Sequence, residues 1–270
     1  MYLGIDIGSS SSKAAILNAK GELIAHEAVN EGTGTKGADL VLDLVFNKAG
    51  IEEAAIKFTV VTGYGRITYA PADKQITEIS CHAKGVSYLC EAAGCIIDIG
   101  GQDAKVIRIG ADGIVENFVM NEKCAAGTGR FLEVMARVLG CDLGDLSQLA
   151  GQSTKEVPIS SVCTVFAESE VISRLASGEK RSDVAKGAHR AIAKRVSGMC
   201  GRVGLKGNVV MTGGVALNAD MVQTMGEAIG QEIKAAPYPQ EIGAIGAAVF
   251  AKELYEKSPS ENIADGLLDL

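Results

Sequence analysis

Short apolar runs broken by glycine turns dominate the N-terminal part of the chain, and they recur in order. Gly4-Ile5-Asp6-Ile7-Gly8 reads as a buried strand ending in a turn, and Lys13-Ala14-Ala15-Ile16-Leu17 as a second strand entering the hairpin turn Asn18-Ala19-Lys20-Gly21. The same succession returns as Ile96-Ile97-Asp98-Ile99-Gly100, then Lys105-Val106-Ile107-Arg108-Ile109, then Gly110-Ala111-Asp112-Gly113. From Asp6 to Asp98, Gly8 to Gly100, Lys13 to Lys105 and Gly21 to Gly113 the offset stays at 92 residues. That register predicts one supersecondary unit used twice. Further along, Asn208-Val209-Val210-Met211 predicts a buried strand, and Thr212-Gly213-Gly214-Val215-Ala216 a turn that opens a helix. Helical spacing marks Arg130 to Met135, the segment through Ile172 and Leu175, and the small-residue run Ile242 to Ala248.

The pattern predicts an α/β chain of two similar domains, residues 1–93 and 94–270, closing on a cleft. Its turns point to the ligand. Glycines let backbone N–H groups approach phosphate oxygens, because no Cβ blocks the way. Gly8, Ser9, Ser10, Ser11, Ser12 and Lys13 in the first copy, with Gly100, Gly101 and Gln102 in the second, are candidates to hold phosphates. Two carboxylates, Asp6 and Asp98, would repel a phosphate chain unless a divalent cation such as Mg²⁺ stood between them. Gln102 and Asp103 follow the glycines of the second turn. The third turn, with Gly213, Gly214 and Ala216, is assigned to the adenosine, and Gln240 lies within reach of it. Turn chemistry alone accounts for Gly32-Thr33-Gly34-Thr35 and for Thr62-Gly63-Tyr64-Gly65-Arg66. His26, His82 and His189 are isolated in sequence and read as solvated or structural.

Composition narrows the class. With 270 residues, 47% of them hydrophobic, the chain can build two modest cores. A net charge of -7 without a basic run argues against a nucleic-acid or anionic-membrane surface. No basic leader and no long apolar segment is read, so the expectation is a cytoplasmic protein whose cysteines are reduced. The polar, acidic stretch from Ser258 is expected to fray.

Of the seven cysteines none forms a C-x-x-C pair. Cys124, in Asn121-Glu122-Lys123-Cys124-Ala125-Ala126-Gly127-Thr128-Gly129, and Cys163, in Ser160-Ser161-Val162-Cys163-Thr164, each precede a predicted helix in a polar setting. Helix N-termini favour thiolates and anionic clusters. A cubane cluster takes four thiolates, and a twofold dimer would supply them from one such pair per chain. Zinc could use the same four sulfurs.

With these motifs in view, residues 1 to 255 resemble the ATP-dependent activators of 2-hydroxyacyl-CoA dehydratases, the BadF/BadG/BcrA/BcrD-type ATPases of the actin/hexokinase-like (ribonuclease H-like) superfamily. The glycine turns are shared by the superfamily, whereas Asn121 to Arg130 and Ser160 to Ile172 are specific to the activators. The resemblance implies a homodimer holding one 4Fe-4S cluster on Cys124 and Cys163 of each chain. It also implies ATP hydrolysis coupled to transfer of one electron, from reduced ferredoxin or flavodoxin to a separate iron-sulfur dehydratase. Within the cleft it implies that Gln102 or Asp103 orients the attacking water. Alternatives remain open at this point: an electron-donating ATPase for an acyl-CoA reductase or another double-cluster protein, a small-molecule kinase of the superfamily, or an actin-like assembly protein.

Overall fold

The computed structural model describes residues 1–160 and 163–257; Ser161, Val162 and the acidic stretch from Ser258 lie outside the described residues. The first half runs β1 (Tyr2–Ile7), β2 (Ser12–Leu17), β3 (Leu23–Val29), α1 (Gly37–Ala49), β4 (Phe58–Thr62), β5 (Lys74–Gln75) and α2 (Glu78–Leu89). The second runs β6 (Ala93–Ile99), β7 (Ala104–Ile109), β8 (Val115–Asn121), α3 (Gly129–Leu139), α4 (Leu146–Gly151), α5 (Thr164–Ala176), α6 (Arg181–Val203), β9 (Asn208–Thr212), α7 (Ala219–Ile229), β10 (Ile233–Ala235) and α8 (Ile242–Lys257).

Among the described residues the strands form two five-stranded sheets with the same topology, β3-β2-β1-β4-β5 and β8-β7-β6-β9-β10. In each, the first strand pairs antiparallel with the second and parallel with the fourth. The repeat seen in sequence is therefore a repeat in space. β1 is buried along its whole length and β6 along most of it, as expected for central strands covered on both faces.

Helix α8 returns to the first sheet and packs on β1, β2 and β4, while α2 packs on β6, β7 and β8. The two helices also lie against each other, so the order of layers is sheet, α8, α2, sheet. Glycine makes this contact possible. A Cβ at Gly246 would stand 1.8 Å from the Cys81 carbonyl oxygen, and one at Gly85 2.3 Å from that of Ile242. Gly4 lets β1 meet α8 in the same way, 2.0 Å from the Ala244 oxygen. The largest core cluster lies under the second sheet, where α3, α4, α5 and α6 bury Phe131, Leu132, Met135, Leu146, Val171 and Val196.

The crossing makes a prediction. Gly246→Ala forces backbone apart and lowers unfolding free energy by about 1–3 kcal/mol. Gly198→Ala, in α6 with open space at its Cβ, raises it by roughly 0.5–1 kcal/mol through helix propensity. Chemical denaturation of both variants measures the two signs.

Candidate nucleotide site and cysteine helices

Register builds the centre of the site. In the β1–β2 ladder Asp6 stands opposite Lys13, and in the β6–β7 ladder Asp98 stands opposite Lys105. Lys13 Nζ is 3.5 Å from Asp6 Oδ2, and Lys105 Nζ is 3.2 Å from Asp98 Oδ2. The halves then diverge. Lys13 keeps some exposure, whereas Lys105 is 1% exposed and also reaches Glu78 Oε1 at 2.8 Å and Asp103 Oδ2 at 2.7 Å.

Burial opposes the Lys105 charge, but Asp98, Glu78 and Asp103 outweigh it and hold the ammonium well above the usual lysine range. Burial likewise pushes the Asp98 carboxyl up. The His82 ring, the Lys105 ammonium and the Thr212 hydroxyl overcome that push and hold it well below the usual carboxylate range. Asp103 moves the other way: burial raises it, with Glu78 and Asp98 adding to the rise against the opposing Lys105.

A second duplication appears beside the first. β4 ends at Thr62 opposite Asp6, and β9 ends at Thr212 opposite Asp98. Each threonine precedes a glycine with positive φ, 87° at Gly63 and 83° at Gly213, and then a 3₁₀ turn. The strand ends demand glycine here, since a Cβ would stand 2.5 Å from the Ile7 oxygen or 2.3 Å from the Ile99 oxygen. Beyond Gly213 the chain makes the 3₁₀ turn Gly214–Leu217, and α7 starts only after Asn218, whose side chain accepts from the Met221 N–H. Symmetry breaks at the carboxylates. Thr212 Oγ1 donates to Asp98 Oδ1 at 2.8 Å, while Asp6 Oδ1 is buried without a hydrogen-bond partner among the described residues. An unmatched buried carboxylate oxygen is costly and fits a site that a cation or its water completes.

The two glycine turns that follow β1 and β6 are closed alike, Gly8 N–H donating to Ser11 O and Gly100 N–H to Asp103 O, both at 3.0 Å. Thr33 braces the first turn by donating its N–H and hydroxyl to Gly8 O. Ser9, Ser10 and Gln102 are exposed at the tips, with Ser11, Gly101 and Asp103 half-buried beside them. The tips meet, for a Cβ on Gly101 would stand 2.5 Å from Ser10 Oγ. Ser12 differs from the expectation that it holds phosphate: it is fully buried in β2 and its hydroxyl donates to Glu31 O at 2.8 Å. The third turn also departs in detail. Gly213 spends its N–H on Pro239 O, Ala216 is buried, and the half-buried Gly214 is the member facing the Gln240 side chain.

Backbone hydrogen bonds join the second turn to the cysteine loop. At the head of α3, Gly129 N–H donates to Gly100 O and Arg130 N–H to Gly101 O, both at 2.8 Å. Upstream, Asn121 Nδ2 donates to the Cys124 and Ala126 carbonyls and so fixes the loop. Cys163 is the residue immediately before α5, and α5 packs against α3. Both cysteines are partly exposed, and Val165 and Phe166, just beyond Cys163, are about two-thirds exposed at 66% and 67%. Burial pushes the Cys81 and Cys200 thiols up to about 12 and raises those of Cys90, Cys95 and Cys141, which disfavours them as thiolate ligands.

Comparison with known proteins settles the family. The profile described as the BadF/BadG/BcrA/BcrD ATPase family matches residues 3–251. The chain belongs to the BadF/BadG/BcrA/BcrD ATPase family. Among its curated relatives, the activator of lactoyl-CoA dehydratase from Anaerotignum propionicum is 52% identical over 258 residues, covering 95% of this chain and 100% of that one. The (R)-2-hydroxyglutaryl-CoA dehydratase activating ATPase of Acidaminococcus fermentans is 49% identical over 250 residues, covering 92% and 96%. A solved activator of the 2-hydroxyisocaproyl-CoA dehydratase from Clostridium difficile, with bound ADPNP, superposes with a TM-score of 0.93 at 47% identity and full coverage of both chains. The architecture is thus that of the duplicated actin and hexokinase-like ATPases within this BadF/BadG/BcrA/BcrD group. Among the described residues no helix is long and apolar enough to cross a membrane.

Sequence patterns missed two residues at the centre. Glu78 and His82 lie one turn apart on α2, in Glu78-Ile79-Ser80-Cys81-His82, and the fold carries them to Lys105 and Asp98. Their spacing by four on a helix was the available signal. His189 is structural, fully buried and paired through Nδ1 with Asp220, which also binds Lys186. His26 is half-buried beside Tyr238 and Glu241.

The unequal lysines give a test. Lys105→Met leaves three converging carboxylates without a counter-charge and costs about 3–5 kcal/mol, whereas Lys13→Met removes one 3.5 Å contact to the single buried carboxylate of Asp6 and costs less, about 1–3 kcal/mol. Equilibrium unfolding in urea compares them.

Proposed function

We propose that this chain is an ATP-hydrolysing iron-sulfur activator that passes one low-potential electron to a partner 2-hydroxyacyl-CoA dehydratase. The observation that carries the reading is the pair of hydrogen bonds from Gly129 and Arg130 to the Gly100–Gly101 turn. Through them a group bound at the turn acts on the helix that follows Cys124. The relatives at 52% and 49% identity, an activator of lactoyl-CoA dehydratase and a (R)-2-hydroxyglutaryl-CoA dehydratase activating ATPase, support the ATPase and dehydratase-activator part of the reading.

In this reading Gly8, Ser9, Ser10, Ser11 and Lys13 hold phosphates from the first domain, and Gly100, Gly101 and Gln102 from the second. Residues 1–93 and 94–270 form those domains, with α8 crossing back at the hinge. Gly214 and Gln240 border the adenosine, with Gly213 and Ala216 shaping the turn behind them. The donors present fit Mg²⁺: Asp6 offers an unmatched oxygen, and Asp98 keeps lone pairs beyond those given to Thr212 and Lys105. When bound, the cation neutralises the phosphate charge. Gln102, exposed at the turn tip, orients water more readily than Asp103, which is bound to Lys105.

Cys124 and Cys163 fit a cluster shared across a twofold axis: both are partly exposed, both lie ahead of mutually packed helices, and apolar Val165 and Phe166 flank one of them. Cys124 and Cys163 of each chain would hold one 4Fe-4S cluster per homodimer, which would supply a one-electron carrier with reduced ferredoxin or flavodoxin as its donor. Shifting the α3 end changes the hydrogen bonding and exposure of the Cys124 sulfur, two determinants of potential. A change of about 59 mV corresponds to about 1.4 kcal/mol for one electron, so nucleotide turnover can drive a shift of several hundred millivolts.

Anaerobic purification tests this. About four irons and four sulfides per dimer are expected in the wild type, with loss of both in Cys124→Ala and in Cys163→Ala and retained ATP binding. Iron-free wild type after cluster reconstitution, still hydrolysing ATP, would leave an ATPase without the redox role.

A further inference from the structure

The α2 histidine occupies a position that the nucleotide reading does not use. His82 is 4% exposed, with Asp98 on its Nδ1 side and Glu78 and Gly243 on its Nε2 side. Nδ1 stands 3.4 Å from Asp98 Oδ1 and Nε2 3.9 Å from Glu78 Oε1. On the Nε2 side the absence of a side chain at Gly243 makes room: a Cβ there would be 3.1 Å from His82 Nε2 and 2.7 Å from Asp6 Oδ2. His82 Nδ1 is buried without a hydrogen-bond partner among the described residues, and so is Asp6 Oδ1. A ring serving only to fill space would be better replaced by an apolar side chain than left with an unmatched polar edge.

The surrounding groups show what that edge can do. Asp98 Oδ1 already accepts from Thr212 and Oδ2 from Lys105, which leaves one lone pair on each oxygen. Glu78 is committed to Lys105 at 2.8 Å. The open acceptor nearest Nδ1 is therefore Asp98 Oδ1, and an added donor there turns the remaining Oδ2 lone pair toward the cleft.

We infer that His82 is a positioning residue for the divalent cation, its Nδ1–H donating to Asp98 and fixing the orientation in which that carboxylate meets the metal nucleotide. This rests on the nucleotide reading above. Donors behind a ligating carboxylate set its orientation, and removing them weakens metal binding.

The test uses Mn²⁺ as a paramagnetic probe, with its uptake by the ADP complex read from the free-ion resonance signal. His82→Asn keeps an N–H near the Nδ1 position, while His82→Gln carries its amide out to the Nε2 position. Expected are a weakening of Mn²⁺ binding of about 10–100-fold in His82→Gln and of no more than about threefold in His82→Asn. ADP affinity in the presence of a chelator is expected to match wild type in both, which a general packing defect would not leave unchanged. Equal Mn²⁺ affinity in the two variants, whether wild-type or weakened alike, overturns the inference. Wild-type protein that takes up no Mn²⁺ with ADP would instead refute the nucleotide reading itself.

Discussion

Two backbone hydrogen bonds, from the head of α3 to the carbonyls of Gly100 and Gly101, are the constraint on which this molecule turns. They use N–H groups that a helix start leaves unpaired in any case, so the link costs no side chain and tolerates little displacement. The same turn abuts Ser10 from the opposite half and closes on Asp103, whose carboxylate is held by Lys105. The Gly100–Gly101 turn is therefore in contact in three directions: with Ser10 of the other half, through Asp103 with the buried lysine, and with the head of α3 that follows Cys124.

The duplicated fold supplies a near-symmetric frame, and the chemistry lies where symmetry fails. Both halves present an aspartate, a lysine opposite it and a threonine-glycine strand end. In the second half each Asp98 oxygen already accepts one hydrogen bond and Lys105 meets three carboxylates; in the first, Asp6 retains an unmatched oxygen and Lys13 partial exposure. The glycine crossing of α2 and α8 lets the halves meet at backbone contact distance, with His82 at the junction.

Much of this was legible in the sequence. The 92-residue offset between Asp6 and Asp98 gave the duplication, because strand, turn and hairpin lengths are local and were kept equal. The cysteine motifs showed their helix starts for the same local reason. The Thr62 and Thr212 pair escaped, since the helices α3 to α6 enlarge the second half and break the common offset. Ser12 was misplaced because its neighbours in sequence are turn residues, whereas the strand register buries it opposite Ile7. Glu78 and His82 act on groups of another element, and Lys105 became a buried anchor only once three carboxylates from separate positions converged on it. Such meetings depend on tertiary packing, which no local pattern encodes.

Because Gly100 and Gly101 hold the head of α3, the turn and the helix after Cys124 are expected to move as one. Amide hydrogen exchange across residues 98–103 and 124–135, with and without Mg²⁺ and a non-hydrolysable ATP analogue, tests it most directly. Gly129 and Arg130 are expected to gain protection together with the turn when nucleotide binds. Protection confined to the turn, with exchange at the head of α3 unchanged, would contradict it.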